Sequence, residues 1–244
     1  MSKSEIAESK APVIITGASS GIGLAAASLL LQAGYHVIGL ARDFGKCTLQ
    51  HDRFRQVAMD LGDLEQAIQQ FAQLLQSIEG DIRGLVNNAG VGKMGHLEQL
   101  SSKDIQDTFN LNILAQVLLT RALLPRLKSQ SVLSDIIFIG SEAALRGAQQ
   151  GSVYCASKFA IRGFAQSLRE ESASSPVRIA LINPGAVRTS FFEQLAFEPG
   201  PDEANAIDPA DVAAVLLEIL QMRPGTVIDE VNLSPHKKVW QRKG

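Results

Sequence analysis

Apolar runs that alternate with helical stretches are the feature that most constrains the fold of this chain. Residues 11–16 are apolar and β-branched and stop at a glycine, and an Ala- and Leu-rich segment then continues to Leu31 before Gly34 ends it. The same alternation predicts strands at 35–40, 53–59, 82–87, 135–139, 177–182 and 227–233, and helices at 64–78, 104–127, 153–172 and 213–222. Strands that are apolar on both faces need helices on both faces. The pattern therefore predicts a doubly wound α/β fold, a parallel sheet with right-handed crossovers.

The length of 244 residues suits one large domain and is short for two. We expect a single Rossmann-type domain over residues 11–244 and a loose tail over residues 1–10, because no repeat, low-complexity tract or linker divides the chain. Asp208 and Pro209 mark the start of the last helix, since Asp caps a helix and Pro fits its first turn.

The composition argues against several classes of function. A net charge of −2 gives no electrostatic reason to expect nucleic acid or a membrane surface as a partner. The N-terminus lacks the apolar core of a signal peptide, and no apolar stretch reaches the roughly 18 residues of a membrane span, so a cytoplasmic protein is expected. Cys47 and Cys155 lie far apart and the histidines do not cluster, which favours free thiols and no metal site.

A glycine-rich turn follows the first predicted strand and opens the first helix. Residues 16–23 read TGASSGIG. Glycines in this position let the backbone approach a pyrophosphate, and the helix N-terminus offers unpaired N–H groups and a partial positive charge. Glycines also serve simple tight turns, but the position and spacing favour a phosphate-binding loop.

The end of the second predicted strand indicates which dinucleotide is bound. A carboxylate there would bind the ribose hydroxyls of NAD(H), whereas this chain has the neutral Ala41 followed by Arg42, whose guanidinium suits a phosphate. The sequence thus favours NADP(H). Two alternatives stay open, because Asp43 can pair with Arg42 and because Arg42 can be an ordinary surface arginine.

Tyr154 and Lys158 stand four residues apart, which puts a phenol and an ammonium on one face of a predicted helix. The pKa of free tyrosine is about 10, and a cation within about 4–6 Å of the hydroxyl favours the phenolate. We therefore expect Lys158 to lower the pKa of Tyr154 and to make it an acid/base group. Such a pair is common in helices as a solvated contact, so the interpretation depends on its surroundings.

Further motifs stand in order around this pair. The glycine turn has the form Thr-Gly-x-x-x-Gly-x-Gly, Asn-Asn-Ala-Gly occupies residues 87–90, and Asn112 lies on the next predicted helix. Ser141 stands thirteen residues before Tyr154, and Pro184 and Gly185 follow the sixth strand. Together these motifs resemble the short-chain dehydrogenase/reductase family in its compact single-domain branch, and the resemblance covers nearly the whole chain.

The resemblance implies an NAD(P)-dependent oxidoreductase that interconverts a ketone or aldehyde with its alcohol and requires no metal. Tyr154 would exchange a proton with the substrate oxygen, Ser141 would bind that oxygen, Lys158 would also hold the nicotinamide ribose, and Asn112 would hold a water for a proton relay. The implied cofactor contacts come from the glycine turn and the strand ends: Gly17, Ser19, Ser20, Gly21, Ile22, Gly23, Arg42, Asp60, Leu61, Asn88, Ala89, Gly90, Tyr154, Lys158, Pro184, Gly185, Val187 and Thr189.

The substrate is less constrained than the reaction. Residues 190–207 have the position of a substrate lid and carry Phe191, Phe192 and Phe197 with acidic residues but no Lys or Arg. This composition favours an apolar small-molecule carbonyl or alcohol, unless the aromatic residues only pin the lid to the core. Arg146 leaves a hydroxy-acid dehydrogenase of the same family open, because it could bind a substrate carboxylate. A dinucleotide-sensing binding protein with little turnover is an alternative from another class.

Family resemblance also implies a homo-oligomer, either a dimer or a tetramer. The predicted helices at 104–127 and 153–172 are candidate interfaces. The basic segment 237–244 could cover a neighbouring subunit or hang free.

Overall fold

The computed structural model describes residues 11–243, and the tail expected at 1–10 lies outside them. Its main sheet has seven parallel strands in the order β3-β2-β1-β4-β5-β6-β8. The strands are β1 (Val13–Thr16), β2 (Val37–Ala41), β3 (Phe54–Ala58), β4 (Gly84–Asn87), β5 (Ser134–Ile139), β6 (Val177–Pro184) and β8 (Glu230–Leu233). The predicted doubly wound α/β class is confirmed.

Helices fill most of the connections between the strands, and the β2–β3 connection has none. They are α1 (Gly21–Gln32), α2 (Leu64–Ser77), α3 (Ser102–Phe109), α4 (Ala115–Ser129), α5 (Ser152–Ser172) and α6 (Pro209–Gln221). A single π-helical stretch, Asn110–Leu114, joins α3 to α4, so the helix predicted at 104–127 is interrupted where the sequence pattern is continuous. Asp208 caps α6 as predicted, because its side chain accepts from the N–H of Ala210 at 2.8 Å.

Alternate side chains of each strand pack under opposite helix layers. In β5, Ile136 and Phe138 belong to the core beneath α2, α4 and α5, whereas Ile137 and Ile139 belong to the core beneath α1 and α6. Burying each such side chain stabilises the fold by about 1.5–3 kcal/mol. Both faces of the sheet are therefore dry, and its strand ends are the places left for polar chemistry.

A second, two-stranded sheet lies over the end of the main one. Strand β7 (Phe197–Pro199), within the predicted lid, pairs antiparallel with β9 (Trp240–Arg242) near the end of the chain. The C-terminal segment is thus paired with the lid of its own chain, an arrangement that the sequence pattern did not predict. No helix within residues 11–243 is both long and apolar enough to cross a membrane.

A buried ion cluster closes the opposite edge of the sheet. Arg83 and Arg178 both bind the Asp135 carboxylate, and Arg178 does so with Nε at 2.8 Å and Nη2 at 2.9 Å. Arg178 also donates to the carbonyls of Ile219 and Met222 at 3.0 Å, while Arg83 donates to that of Leu220. Two guanidinium groups therefore join β5 to the C-terminal end of α6, where the helix dipole favours positive charge.

Removing the one carboxylate of this cluster leaves two buried cations without a counterion. We predict that Asp135→Asn lowers the free energy of unfolding by about 3–5 kcal/mol. Urea unfolding of both proteins measures the change. Lys103→Gln is the matched control, because it breaks the exposed Lys103–Asp107 pair and should cost less than about 1 kcal/mol. A loss at Asp135 as small as that of the control would contradict this account.

Candidate active site

The turn after β1 depends on glycine at three positions. Gly17 and Gly21 adopt φ angles of +67° and +54°, which residues with a Cβ rarely adopt. A Cβ on Gly23 would lie 2.3 Å from the carbonyl oxygen of Gly17. The glycines therefore let α1 begin directly against the turn, as the phosphate-loop interpretation requires.

Asn88 joins this turn to the end of β4. Its Nδ2 donates to the Thr16 carbonyl at 2.8 Å, and Thr16 Oγ1 accepts from the backbone N–H groups of Asn88 and Ala89, each at 2.9 Å. Strands β1 and β4 are the neighbours at which the strand order reverses. Ligands of open α/β sheets bind at this kind of crevice.

One cavity of about 1670 Å³ runs along this edge of the sheet. It brings together the glycine turn, Arg42 and Asp60 at one end and Ser141, Tyr154 and Lys158 at the other. All the catalytic and cofactor-binding residues predicted from the sequence line this cavity, except Gly23 and Asn112. Gly23 packs against the carbonyl of Gly17 beneath the turn, and a cofactor contact there stays a prediction.

The donor groups around the glycine turn fit an anionic dinucleotide. The Ser20 side chain, before α1, accepts no hydrogen bond from the first turn of the helix, whereas Asp63 and Ser101 cap the helices that follow them. The first N–H groups of α1 are thus left for a ligand beside the cavity. Arg42 is exposed and forms no ion pair with any residue in 11–243, because the Asp43 carboxylate instead accepts from the N–H of Gly45 at 2.7 Å.

Helix α5 presents Tyr154 and Lys158 to the other end of the cavity. Both side chains are buried, with the residues 7% and 5% exposed. Lys158 Nζ donates to the Ile139 carbonyl at 3.0 Å and lies 5.8 Å from the centre of the Tyr154 ring. Ser141 follows the end of β5 and its hydroxyl accepts from the N–H of Ala143 at 3.1 Å. The end of β5 and helix α5 therefore meet at the phenol.

Burial sets the pKa of both groups. It raises the pKa of Tyr154 to about 12, and the hydrogen bond with Ser141 offsets only part of this increase. Burial also lowers the pKa of Lys158 to about 8. The expectation that Lys158 holds the pKa of Tyr154 below its ordinary value is therefore wrong for the cofactor-free site, since the cost of burying a phenolate exceeds the opposing effects. Tyr154 is a protonated phenol at neutral pH.

The Asn112 side chain is held by protein groups behind the cavity. Its Oδ1 accepts from the N–H of Val91 at 2.9 Å, and its Nδ2 donates to the Val91 carbonyl and to Ser157 Oγ, each at 3.0 Å. Ser157 Oγ in turn donates to the Tyr154 carbonyl at 2.7 Å. The π-helical stretch that carries Asn112 thus fixes the first turn of α5, and the proton relay expected at Asn112 stays a prediction.

Comparison with known proteins agrees with this geometry. The family model described as short chain dehydrogenase matches residues 11–199. The chain belongs to this family. It is an oxidoreductase of the short-chain dehydrogenase type, and the resemblance seen in the sequence is confirmed.

Relatives of this short-chain dehydrogenase carry several enzyme names. It is 36% identical to retinol dehydrogenase 8 of Homo sapiens over 81% of this chain, and it spans 65% of that protein's length. It is 32% identical to sepiapterin reductase of Chlorobaculum tepidum over 91% of this chain and 95% of the other. The solved structure of an alcohol dehydrogenase from Thermococcus sibiricus, complexed with 5-hydroxy-NADP, superposes with a TM-score of 0.83 at 25% identity, covering 93% of this chain and 97% of the other.

Sequence reasoning missed three contributors to the site of this dehydrogenase. Ser157 stands inside the Tyr-x-x-x-Lys segment, and only its residue type, a serine, could have indicated a hydrogen-bonding role. Gly92 lies against the Phe191 ring, since a Cβ there would be 2.3 Å from Cζ of that ring. Trp240 lines the cavity from β9, and nothing in the local sequence indicates that β9 pairs with β7.

No group of three or more His, Cys, Asp or Glu within residues 11–243 could hold a metal ion.

The lowered pKa of Lys158 predicts a pH-dependent stability. Its unfolded pKa is 10.5 and its folded pKa is about 8, so the unfolded chain binds this proton more tightly and folding is penalised below about 8. The penalty disappears as the pH rises towards 10.5. Lys158→Met removes the buried ammonium, and we predict that the variant is about 1–3 kcal/mol more stable than the wild type near pH 7.

Urea unfolding of the two proteins near pH 7 and near pH 10 tests this sign. The difference in free energy should shrink at the higher pH, and taking the difference removes the ionisation of other groups from the comparison. A difference that stays constant or grows with pH would show that Lys158 is not a destabilised buried cation.

Proposed function

We propose that this short-chain dehydrogenase uses NADPH to reduce a small-molecule ketone or aldehyde to its alcohol. The observation that carries the proposal is the buried Tyr154 phenol, with Ser141, at one end of a cavity whose other end fits a dinucleotide. A phenol that keeps its proton at neutral pH is a proton donor. Reduction of a carbonyl requires such a donor.

The residues of this chain divide the work as follows. Bound NADPH would supply the hydride that the carbonyl carbon takes up, and NADP⁺ would remain. Tyr154 gives its phenolic proton to the carbonyl oxygen, so new C–H and O–H bonds replace the π bond and a C–O single bond remains. Ser141 holds that oxygen within reach of the phenol. Lys158 stabilises the phenolate that forms, and its donors beyond the bond to Ile139 would hold the ribose hydroxyls of the cofactor.

Arg42 supports NADP(H) over NAD(H). Its guanidinium lines the cavity and is exposed, and Asp43 turns to the Gly45 N–H, so the pairing that would cancel the charge is not formed. A planar guanidinium binds a phosphate through two parallel hydrogen bonds.

A hydroxy-acid substrate is less well supported by the site. Arg146, the residue that could bind a carboxylate, lies 3.4 Å from Glu142 Oε2, and Lys238 binds the same carboxylate. Both cations therefore have an internal partner. The combination of Ser141, Tyr154 and Lys158 in one cavity likewise favours turnover over dinucleotide sensing.

A homo-oligomer, dimer or tetramer, is part of the proposal. Leu114, the last residue of the π-helical stretch before α4, and Phe159, on α5, are each 44% exposed on two neighbouring elements. Exposed large apolar residues on adjacent helices are typical of an interface between copies. The cytoplasmic location expected from the sequence stays a prediction.

Tyr154→Phe tests the proton donor. The change removes one oxygen from a buried ring, so we predict a fall in kcat of about 10²–10⁴ with little change in NADPH affinity. Loss of NADPH absorbance with a panel of carbonyl compounds measures turnover, and calorimetry measures cofactor binding. If the variant binds NADPH and keeps most of the wild-type turnover, Tyr154 is not the donor.

Arg42→Ala tests the cofactor choice. We predict that affinity for NADPH falls about tenfold to a hundredfold while affinity for NADH is unchanged, because only NADPH carries the phosphate. Titration calorimetry with each cofactor gives both numbers. Arg146→Ala is the matched control, an exposed arginine that lines the same cavity beyond Ser141. Equal losses for both cofactors, or none for either, would contradict the assignment.

A further inference from the structure

A continuous series of aromatic rings leads from the catalytic phenol to the surface. The ring centre of Phe191 lies 5.8 Å from that of Tyr154 and 5.2 Å from that of Phe192. Phe192 in turn lies 5.8 Å from Trp240, and Phe197 lies 5.4 Å from Trp240. All five residues line the cavity of the candidate active site. One wall of the cavity beside Tyr154 is therefore aromatic.

Trp240 is held in place although about half of its surface is exposed. Strand β9 pairs with β7, the N–H of Gly200 donates to the Val239 carbonyl at 2.9 Å, and the N–H of Lys243 donates to the Ala196 carbonyl at 2.9 Å. The residue is nevertheless 47% exposed. An indole that is fixed by its backbone and open towards a cavity costs little further order when a ligand covers it.

Phe191, in the predicted lid, reaches across to the opposite wall of the cavity. Its ring approaches Gly92, in the loop after β4, so closely that a Cβ there would lie 2.3 Å from Phe191 Cζ. A substrate whose carbonyl reaches Tyr154 therefore passes beside the Phe191 ring. Charges near this path have partners: Glu142 binds Lys238 and Arg146, and Lys93 lies 3.6 Å from Asp104. The charged Glu193 and Arg242 that also line the cavity are exposed at its rim.

We propose that the substrate is a ketone or aldehyde that carries an aromatic ring, and that Trp240 and Phe191 select it by contact with that ring. This inference rests on the proposed carbonyl reduction and leaves its chemistry unchanged. A saturated ring of the same size would bury a similar apolar area, so burial alone does not distinguish the two. Edge-to-face and offset contacts with an aromatic wall do distinguish them.

A matched pair of substrates tests the selection. Benzylacetone and its cyclohexyl counterpart differ only in the saturation of the ring, and an ethylene spacer separates that ring from the carbonyl in both. We expect kcat/KM with NADPH to be about tenfold higher for benzylacetone, which corresponds to about 1.4 kcal/mol. Trp240→Leu should reduce the ratio to within about twofold, and Trp240→Phe should keep most of it. Val239→Ala, a neighbour that is equally exposed and does not line the cavity, should leave the ratio unchanged.

Binding can be followed without turnover, because Trp240 is the single tryptophan of the chain. In the Tyr154→Phe variant with NADP⁺, tryptophan emission should respond to benzylacetone with a half-saturation concentration about tenfold below that for the cyclohexyl ketone. This readout does not depend on whether a Trp240 variant folds.

The outcomes separate the inference from the function beneath it. Equal kcat/KM for the two ketones, or a preference that survives Trp240→Leu in a folded variant, overturns the aromatic selection and leaves the carbonyl reductase standing. Failure to reduce any carbonyl compound by enzyme that binds NADPH overturns the proposed function itself.

Discussion

The parallel register of β1, β4, β5 and β6 brings four strand ends to one edge of the sheet, and the site depends on this convergence. The bonds from Asn88 and Ala89 to Thr16 hold two of these ends together. The other two supply Ile139, whose carbonyl holds Lys158, and Pro184, which lines the cavity. Because both sheet faces are covered by helices, this edge is where polar groups can face a ligand.

Burial then decides which protonation states Tyr154 and Lys158 favour. Tyr154 and Lys158 are each close to fully buried, and a low-dielectric surrounding disfavours the charged form of either group. The pKa of the phenol is raised and that of the ammonium is lowered, so the two shifts favour neutral forms. The position of Lys158 Nζ matters for this pair as much as its charge does. One of its N–H groups donates to the Ile139 carbonyl and therefore points to the backbone. A protonated phenol beside Ser141 is suited to giving a proton to a carbonyl oxygen.

Much of this architecture could be predicted from local patterns. Apolar runs predicted the strands, the TGASSGIG turn predicted the first crossover, and Asp208 with Pro209 predicted the start of α6.

Three features could not be predicted, for physical reasons. The π-helical stretch at Asn110–Leu114 has the apolar periodicity of an ordinary helix. Pairing of β7 with β9 joins three-residue strands far apart in the chain, too short for a periodic signal. Whether the pKa of Tyr154 is raised or lowered depends on how deeply the phenol is buried and on where Lys158 Nζ points. The spacing of the two residues within a helix sets neither.

The central claim is that burial raises the pKa of Tyr154 above its ordinary value in the cofactor-free protein. The chain has two tyrosines, Tyr35 and Tyr154, so NMR titration of isotope-labelled tyrosine rings gives two signals, and the Tyr154→Phe variant assigns them. The account predicts that the Tyr154 signal titrates with a pKa of about 12. A midpoint at or below about 9 would show that the Lys158 charge outweighs burial and would contradict the account.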